Sequence, residues 1–401
     1  MAERRSRRWL WIGAVLVAGA ALLSASQTTL PFGGPGRAAA AVAAAPRVVV
    51  SPADGSTDVA PATAITVAAF DATLQDVTVT AADGTPLPGA LSADGRTWSA
   101  TQRPAFATEY RFSGTAAGPG GSVAVTGTFR TADPQDRLVT ASAPWIGEGA
   151  TVGIAAPIEL RFDTTLSEEA KAAVERRLTV KTSVPVEGSW GWLPDTKRGS
   201  RVHWRPKDYW PPNTQVTVHA ALYGVPLGDA GFGESDLTRS FTIGRAQIVK
   251  ADVTSHRMVV IRDGEVVLDV PASYGLESDS RRVTRSGIHV VTSKSPTVYM
   301  TNPTFGYYNV KMHWAVRISD NGEFIHANPA SAYAHGRQNV THGCVNLSTA
   351  NAKAYYDTAL YGDPVEVVNS SVPLSKADGD VYDWTLSWEE WQSLSALAPR
   401  S

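Results

Sequence analysis

The chain has 401 residues, 36 of them basic and 38 acidic, for a formal net charge of −2. Hydrophobic residues make up 43% and charged residues 18%, which excludes a disordered chain and a coiled coil. The near balance of charge leaves no polybasic surface, so nucleic acid is not expected as a partner.

The length suits two or three domains, and 34 glycines with 25 prolines suggest a chain rich in strands and loops. A single cysteine, Cys344, rules out an intrachain disulfide and places any thiol chemistry on that one residue. Arg4, Arg5, Arg7 and Arg8 precede an apolar run over 9–23, the layout of an export signal. That run lies between a cleaved signal and a short membrane anchor over 9–25, with Ser24-Ala25-Ser26 as a cleavage site. Ser6-Arg7-Arg8 makes a weak twin-arginine match, and with no cysteine after the run a lipoprotein anchor is excluded. The remainder is expected outside the cytoplasm, in the periplasm or cell wall, with the N-terminal segment meeting the membrane. Residues 27–46 read as a Pro/Gly- and then Ala-rich tether, so 1–46 is signal or anchor plus linker.

From Arg47 the text becomes short β-branched runs broken by Asp-Gly pairs, the pattern of antiparallel β-sandwiches. Two such units are expected, over 47–134 and 135–244. They look like a diverged repeat: 60–70 parallels 155–163, and 97–116 parallels 201–222. The closing strands would be TGTFRT and RSFTIG. One helix is inserted in the second unit over 166–178, with Ser167 as its cap. Trp98, Trp190, Trp192, Trp204 and Trp210 are expected in the core rather than on a sugar-stacking face.

The third unit, 245–370, continues with strands. VVIRDGEVVLDV reads as a hairpin about its Asp-Gly turn. VTRSGIHVVTSK, VYMTNPTFGYYNV and HWAVRIS follow, and Asp320-Asn321-Gly322 turns the chain into a strand ending at His326. Ser348 caps a helix over STANAKAYYDTAL, and GDPVEVVN closes the unit. Over 371–401, Trp384, Trp388 and Trp391 fall at i, i+4 and i+7, one helix face, with Ser387 a plausible cap. That face is expected to dock between the second module and the third unit.

Chemistry concentrates in 324–347, where Cys344 follows His342-Gly343 and His326 and His335 lie upstream. The residues alone leave three readings open. One is an inert buried thiol. Another is a zinc site from Cys344 with His326, His335 or His342, although the tight spacings of common zinc sites are missing. The third is a thiol nucleophile served by imidazole, with the amides of Gly343 and Cys344 free to face an oxyanion.

His326, the run Thr341-His342-Gly343-Cys344-Val345-Asn346 and the upstream Thr284-x-x-Gly287 turn together resemble the L,D-transpeptidases of bacterial cell walls. The two immunoglobulin-like modules and the Trp-rich end extend the likeness to the actinobacterial members. The fold implied is mostly β: two immunoglobulin-like sandwiches, a β-rich catalytic domain with one main helix, and a Trp-rich C-terminal helix.

Residue by residue, the resemblance implies that Cys344 is the nucleophile and His326 its base, with the Ala327 carbonyl orienting the imidazole. His342 and Asn346 would support the site with Thr341, and the Gly343 and Cys344 amides would form the oxyanion hole. Met300, Phe305 and Tyr308 would belong to a substrate lid. Phe305, Ala327 and Ala330 stand where tyrosine, serine and tryptophan occur in relatives, and His335 matches no motif and reads as a solvated loop histidine. The implied reaction forms 3→3 cross-links between a tetrapeptide donor stem and a diaminopimelate-containing acceptor, with carbapenems as inhibitors and no metal or cofactor. L,D-carboxypeptidase activity, with water as acceptor, is the nearest alternative. A sortase would want an arginine shortly after Cys344, and a wall-binding scaffold is the non-enzymatic reading.

Overall fold

The computed structural model describes residues 43–135, 137–379 and 381–399. The export signal and nearly all of the linker expected over 1–46 lie outside these described residues.

The first module stacks two four-stranded sheets. In one, the strands lie in the order Arg47–Ser51, Thr66–Phe70, Thr97–Ala100, Gly89–Leu91. In the other the order is Ser56–Val59, Gly121–Thr131, Glu109–Gly118, Thr73–Ala81. The second module repeats this strand for strand. Its first sheet runs Ala141–Ser142, Ile158–Phe162, Gly199–Pro206, Gly188–Thr196, and its second Thr151–Val152, Leu237–Ile243, Gln215–Ala220, Leu178–Thr182. Even the exception recurs: in both modules the pair of strands at one end of the second sheet is parallel.

A side-chain signature accompanies the shared topology. Trp98 pairs with Val67 across the first sheet, and Trp204 pairs with Ile158 at the equivalent place in the second module. Each indole covers a glycine of the neighbouring strand, Gly89 or Gly188, where an added Cβ would fall only 2.0 or 1.9 Å from the ring carbon Cζ2. All five tryptophans expected in the cores are buried. The inserted helix spans Glu168–Glu175, and the Ser167 side chain accepts the Ala170 N–H at 3.2 Å as its cap.

The third unit holds two sheets around one core. The first has the order Glu265–Pro271, Arg257–Arg262, Gln247–Asp252, Pro364–Val368, Gly287–Val290. The second runs Ser293–Asn302, Tyr307–Arg317, Phe324–Ala327, Val345–Leu347. The first two strands of this sheet form a long hairpin, closed by a 3-10 turn at Pro303–Phe305. The helix Thr349–Thr358 starts at Ser348, whose side chain accepts the Asn351 N–H at 3.2 Å, and buries Ala352 and Tyr355 in the core.

Beyond residue 370 the chain straps two units together. It first follows the third unit, where Leu374 N–H donates to Ser286 O at 2.7 Å and Arg285 pairs with Asp378 at 2.6 Å. It then crosses to the second module, where Trp384 and Trp391 donate to the carbonyls of Ala155 and Ser189 at 2.9 and 3.0 Å. Trp384, Trp388 and Trp391 do not share one continuous helix. Trp384 lies in a 3-10 turn at Asp383–Thr385, Leu386 is extended, and the helix proper is Trp388–Ser393. Ser387 and Glu390 satisfy each other's backbone N–H groups in a capping box, which fixes the helix start after Leu386. All three rings nevertheless converge on the Arg205 guanidinium, at 4.7, 5.3 and 5.3 Å from their centroids.

Beneath that cage His203 is fully buried, with Nδ1 2.9 Å from Asp383 and Nε2 3.6 Å from Glu159. Burial alone would lower its pKa, but Asp383 and then Glu159 outweigh it and raise the value to about 9. A folded-state pKa above the unfolded one contributes stability that is complete below about 6.5 and lost as pH rises through about 9. The melting temperature of the wild type is therefore expected to fall between pH 7 and 10 by more than that of His203→Gln, as read by scanning calorimetry. Separately, Gly188→Ala must displace the Trp204 ring and is expected to cost about 1–3 kcal/mol in urea unfolding.

Candidate active site

Two neighbouring strands bring the chemistry together. The strands Phe324–Ala327 and Val345–Leu347 run parallel, with His326 paired to Asn346. Parallel neighbours need a crossover, and residues 328–344 supply it, so Cys344 arrives one residue before its strand begins. His326 and Cys344 share a cavity of about 350 Å³, also lined by Met300, Tyr307, Met312, Ala330, Tyr333, Thr341, His342 and Asn346. A larger cleft of about 690 Å³ lies between the inserted helix and the C-terminal strap. It contains neither thiol nor imidazole, so the smaller cavity is the candidate site.

The nucleophile loop is tied down at nearly every residue. Thr341 N–H donates to Tyr274 O at 3.0 Å, and its hydroxyl donates to Cys344 O at 2.7 Å. Thr284 donates to Gly343 O at 2.8 Å and accepts the Gly275 N–H at 2.8 Å, which gives the upstream Thr-x-x-Gly turn a direct part in the site. Arg282 reaches the carbonyls of Val340 and Thr341 at 2.6 and 3.1 Å. Gly343 has φ +106°, which L side chains rarely adopt, so glycine is what lets the loop reverse here. The N–H groups of Gly343 and Cys344 make no hydrogen bond among the described residues and remain able to donate.

His326 is buried, and its Nδ1 lies 2.9 Å from Ala327 O. A carbonyl only accepts, so Nδ1 carries the hydrogen and Nε2 keeps its lone pair. Alanine in place of serine leaves this contact intact because the backbone makes it. Desolvation drives the His326 pKa down to about 4, partly opposed by that carbonyl, so the ring is neutral at physiological pH.

The thiol resists ionisation. Its surroundings desolvate it and push its pKa up to about 12, while the Phe324 N–H favours the thiolate and the Glu323 carboxylate opposes it. The S–H points at Gly322 O, 3.6 Å away, rather than at the imidazole. Desolvation disfavours charge on both the half-buried sulfur and the buried ring.

Of the residues expected at the site, His326, Cys344, His342, Thr341, Asn346 and Met300 line one cavity. Phe305 does not line that cavity; its ring lies 4.7 Å from His342, with Arg281 over it at 5.5 Å. Tyr308 points to solvent at 64% exposure, and its neighbour Tyr307 faces the cavity, 5.5 Å from His342. His342 is thus a wall of the pocket packed on aromatics. His335, read as a solvated histidine, is half-buried and meets the Ser331 hydroxyl at 3.0 Å, and that hydroxyl accepts from Asn346 at 3.4 Å. Tyr307, Ser331 and Tyr333 were not singled out in the sequence. Alternation along the hairpin strand would have separated Tyr307 from Tyr308 had its register been known.

Neutral thiol, neutral imidazole with Nε2 as base, and two free amides form the equipment for acyl transfer through a thioester. Comparison with known proteins agrees with that class. Residues 246–367 match the L,D-transpeptidase catalytic domain, and residues 56–226 match a bacterial Ig domain. The chain is 51% identical to L,D-transpeptidase 5 of Mycobacterium tuberculosis, over 88% of this chain and 78% of that protein. It is 36% identical to L,D-transpeptidase 2 of the same species, over 88% of this chain and 86% of that one. Among solved structures, LdtMt1 in complex with imipenem is 34% identical, with a TM-score of 0.48, covering 58% of this chain and all of that one. The chain belongs to the L,D-transpeptidase family.

Two neutral partners give a distinctive pH signature. Alkylation of Cys344 by iodoacetamide, read by intact mass, is expected to keep accelerating beyond pH 9. An inflexion between pH 5 and 7, as a preformed thiolate–imidazolium pair would give, is not expected.

Proposed function

We propose that the protein is a peptidoglycan L,D-transpeptidase that forms 3→3 cross-links through a Cys344 thioester. The observation that carries this reading is the shared cavity, where one imidazole of fixed tautomer and one thiol sit beside unpaired backbone amides. Cys344 Sγ attacks the carbonyl carbon of the third residue of a donor tetrapeptide stem. His326 Nε2 takes the sulfur's proton as the bond forms, and the Gly343 and Cys344 amides receive the oxyanion. The bond to the terminal D-alanine then breaks, and the proton passes from Nε2 to the departing amine. The side-chain amine of diaminopimelate in an acceptor stem attacks the thioester next, losing a proton to Nε2, and frees the thiol.

Tyr307, Met300 and Tyr333 give the cavity an aromatic and apolar rim suited to the aliphatic parts of a stem peptide. Carbapenems fit the same chemistry, since opening a β-lactam by the thiol gives an acyl-enzyme. The charged and apolar N-terminal pattern supports an exported protein, held at the membrane or released from it, working in the periplasm or cell wall.

Incubating the enzyme with meropenem is expected to add one adduct mass, and Cys344→Ala is expected to add none. With purified tetrapeptide stems the wild type is expected to yield mainly dimer. Hydrolysed tripeptide as the main product would identify an L,D-carboxypeptidase, and full cross-linking by Cys344→Ala would exclude the thioester.

A further inference from the structure

Apart from desolvation, the groups that act on the thiol directly belong to three consecutive residues. Gly322 offers the carbonyl that receives the S–H, Glu323 the opposing charge, and Phe324 the N–H that favours thiolate. Phe324 is fixed by its strand, paired with Arg317 of the hairpin. Ahead of it Glu323 O accepts the Ile318 N–H at 3.0 Å and the Glu323 N–H donates to Asn321 Oδ1 at 3.2 Å, so the turn carrying Gly322 leans on Asn321, which needs support of its own.

That support comes from the C-terminal strap. Asp378 is buried, its Oδ1 lies 2.6 Å from Arg285 Nε in an ion pair, and the same oxygen accepts from Asn321 Nδ2 at 3.3 Å. Its backbone carbonyl accepts the Asn321 N–H at 3.1 Å, so the residue just before Gly322 is held twice. Its Oδ2 accepts the N–H and hydroxyl of Ser375, each at 2.8 Å, which fixes the carboxylate itself. Arg285 links the same anchor to Glu323, with its N–H 3.0 Å and Nη1 3.6 Å from Oε1. On the far side Glu323 Oε2 meets Ser319 Oγ at 3.1 Å and His289 Nδ1 at 3.5 Å.

We propose that Asp378 is a positioning residue for the nucleophile: through Asn321 and Arg285 it holds the turn at Gly322 and Glu323, so that the Gly322 carbonyl receives the Cys344 S–H and turns it away from His326. The ionisable groups facing this arrangement are Glu323 just before the strand Phe324–Ala327, His326 within it, Tyr307 on the next strand and His342 in the thiol's own loop. Arg285, His289 and Asp378 stand behind Glu323. Removing Asp378 has two effects of the same sign. Gly322 O drifts from the S–H, and Arg285, released from Asp378, turns wholly to Glu323 and screens its charge. Both changes favour the thiolate, and the Phe324 N–H stays in place.

The inference rests on Cys344 being the acyl-accepting thiol, but its test reads the thiol directly. Full-length wild type, Asp378→Ala, Asp378→Asn, Glu323→Gln and Gly188→Ala would be alkylated with iodoacetamide from pH 6 to 10. Each would be held at least ten degrees below its own melting midpoint. Asp378→Ala, Asp378→Asn and Glu323→Gln are expected to label about threefold or more faster at pH 8, with acceleration setting in at lower pH. In the same variants, acylation by meropenem is expected to slow, because the sulfur is no longer held in register. Gly188→Ala, destabilised at a distance from the site, is expected to keep the wild-type labelling profile.

Wild-type labelling profiles in both Asp378 variants would overturn the proposal, as would an equal shift in Gly188→Ala. If Asp378→Ala does not fold, Asp378→Asn and Glu323→Gln decide the question. A wild type that alkylates as expected yet takes no meropenem would refute the proposed function and leave this inference standing.

Discussion

One hydrogen bond sets the terms for the site. Because Ala327 O can only accept, the bond from His326 Nδ1 fixes the tautomer and leaves Nε2 as the sole basic atom on that ring. Burial then holds the ring neutral, and the same desolvation holds the sulfur neutral. Separating charge between them in advance would cost more than the apolar pocket returns. In the proposed reaction the proton would move as the sulfur attacks, when the growing oxyanion would have two amides to meet it. Until a carbonyl arrives, the site holds a thiol of low reactivity rather than a standing thiolate.

This arrangement needs the loop 341–346 and the strand Phe324–Ala327 to stay in fixed register. Thr341, Thr284 and Arg282 secure the first, and pairing with the long hairpin over 293–317 secures the second. The third unit is in turn docked on the second module: Gly153 and Ala155 donate to Tyr361 O and Gly362 O at 2.7 and 2.8 Å. Tyr209 of that module donates to Glu366 at 3.1 Å. The first module joins the second through Arg103, bound to Asp236 and Tyr223 O at 2.9 and 2.8 Å. Each junction combines a charged or backbone hydrogen bond with ring packing, as where Phe106 meets Tyr223 and Phe232 edge-on at 5.3 and 5.6 Å.

Much of this was legible in the sequence because the relevant signals are local. Alternation and Asp-Gly turns announce the sandwiches, and the paired segments at 60–70 and 155–163 become equivalent strands in equivalent sheets. Ser167, Ser348 and Ser387 act as caps through hydrogen bonds spanning three residues. The thiol and its histidine were readable because a compact motif and a parallel crossover bring them together. Tyr307 escaped for a reason of register. The pairing slips between Met300 and Asn302, and a one-residue slip exchanges the two faces of a strand. Helical spacing similarly suggested that Trp384 continued the helix of Trp388 and Trp391, but the capping box at Ser387 outcompetes that continuation. The neutral thiol was not readable at all, because desolvation depends on what the whole fold packs around a group.

The strap shows how these scales meet. Trp384, Trp388 and Trp391 all rest on Arg205 of the second module, but rings and guanidinium can slide over one another at small cost. Asp378 and Asp383 cannot. Each is a buried carboxylate with a particular cationic partner, Arg285 in the third unit and His203 in the second module. A buried pair adds little net stability over a well-packed apolar one, yet breaking it strands a charge. Moving the strap by a single residue would break both pairs at once. The tryptophans hold the strap down, and the two carboxylates decide where it lies. Since one of those carboxylates also holds the turn that carries Gly322, the register of the strap reaches the sulfur.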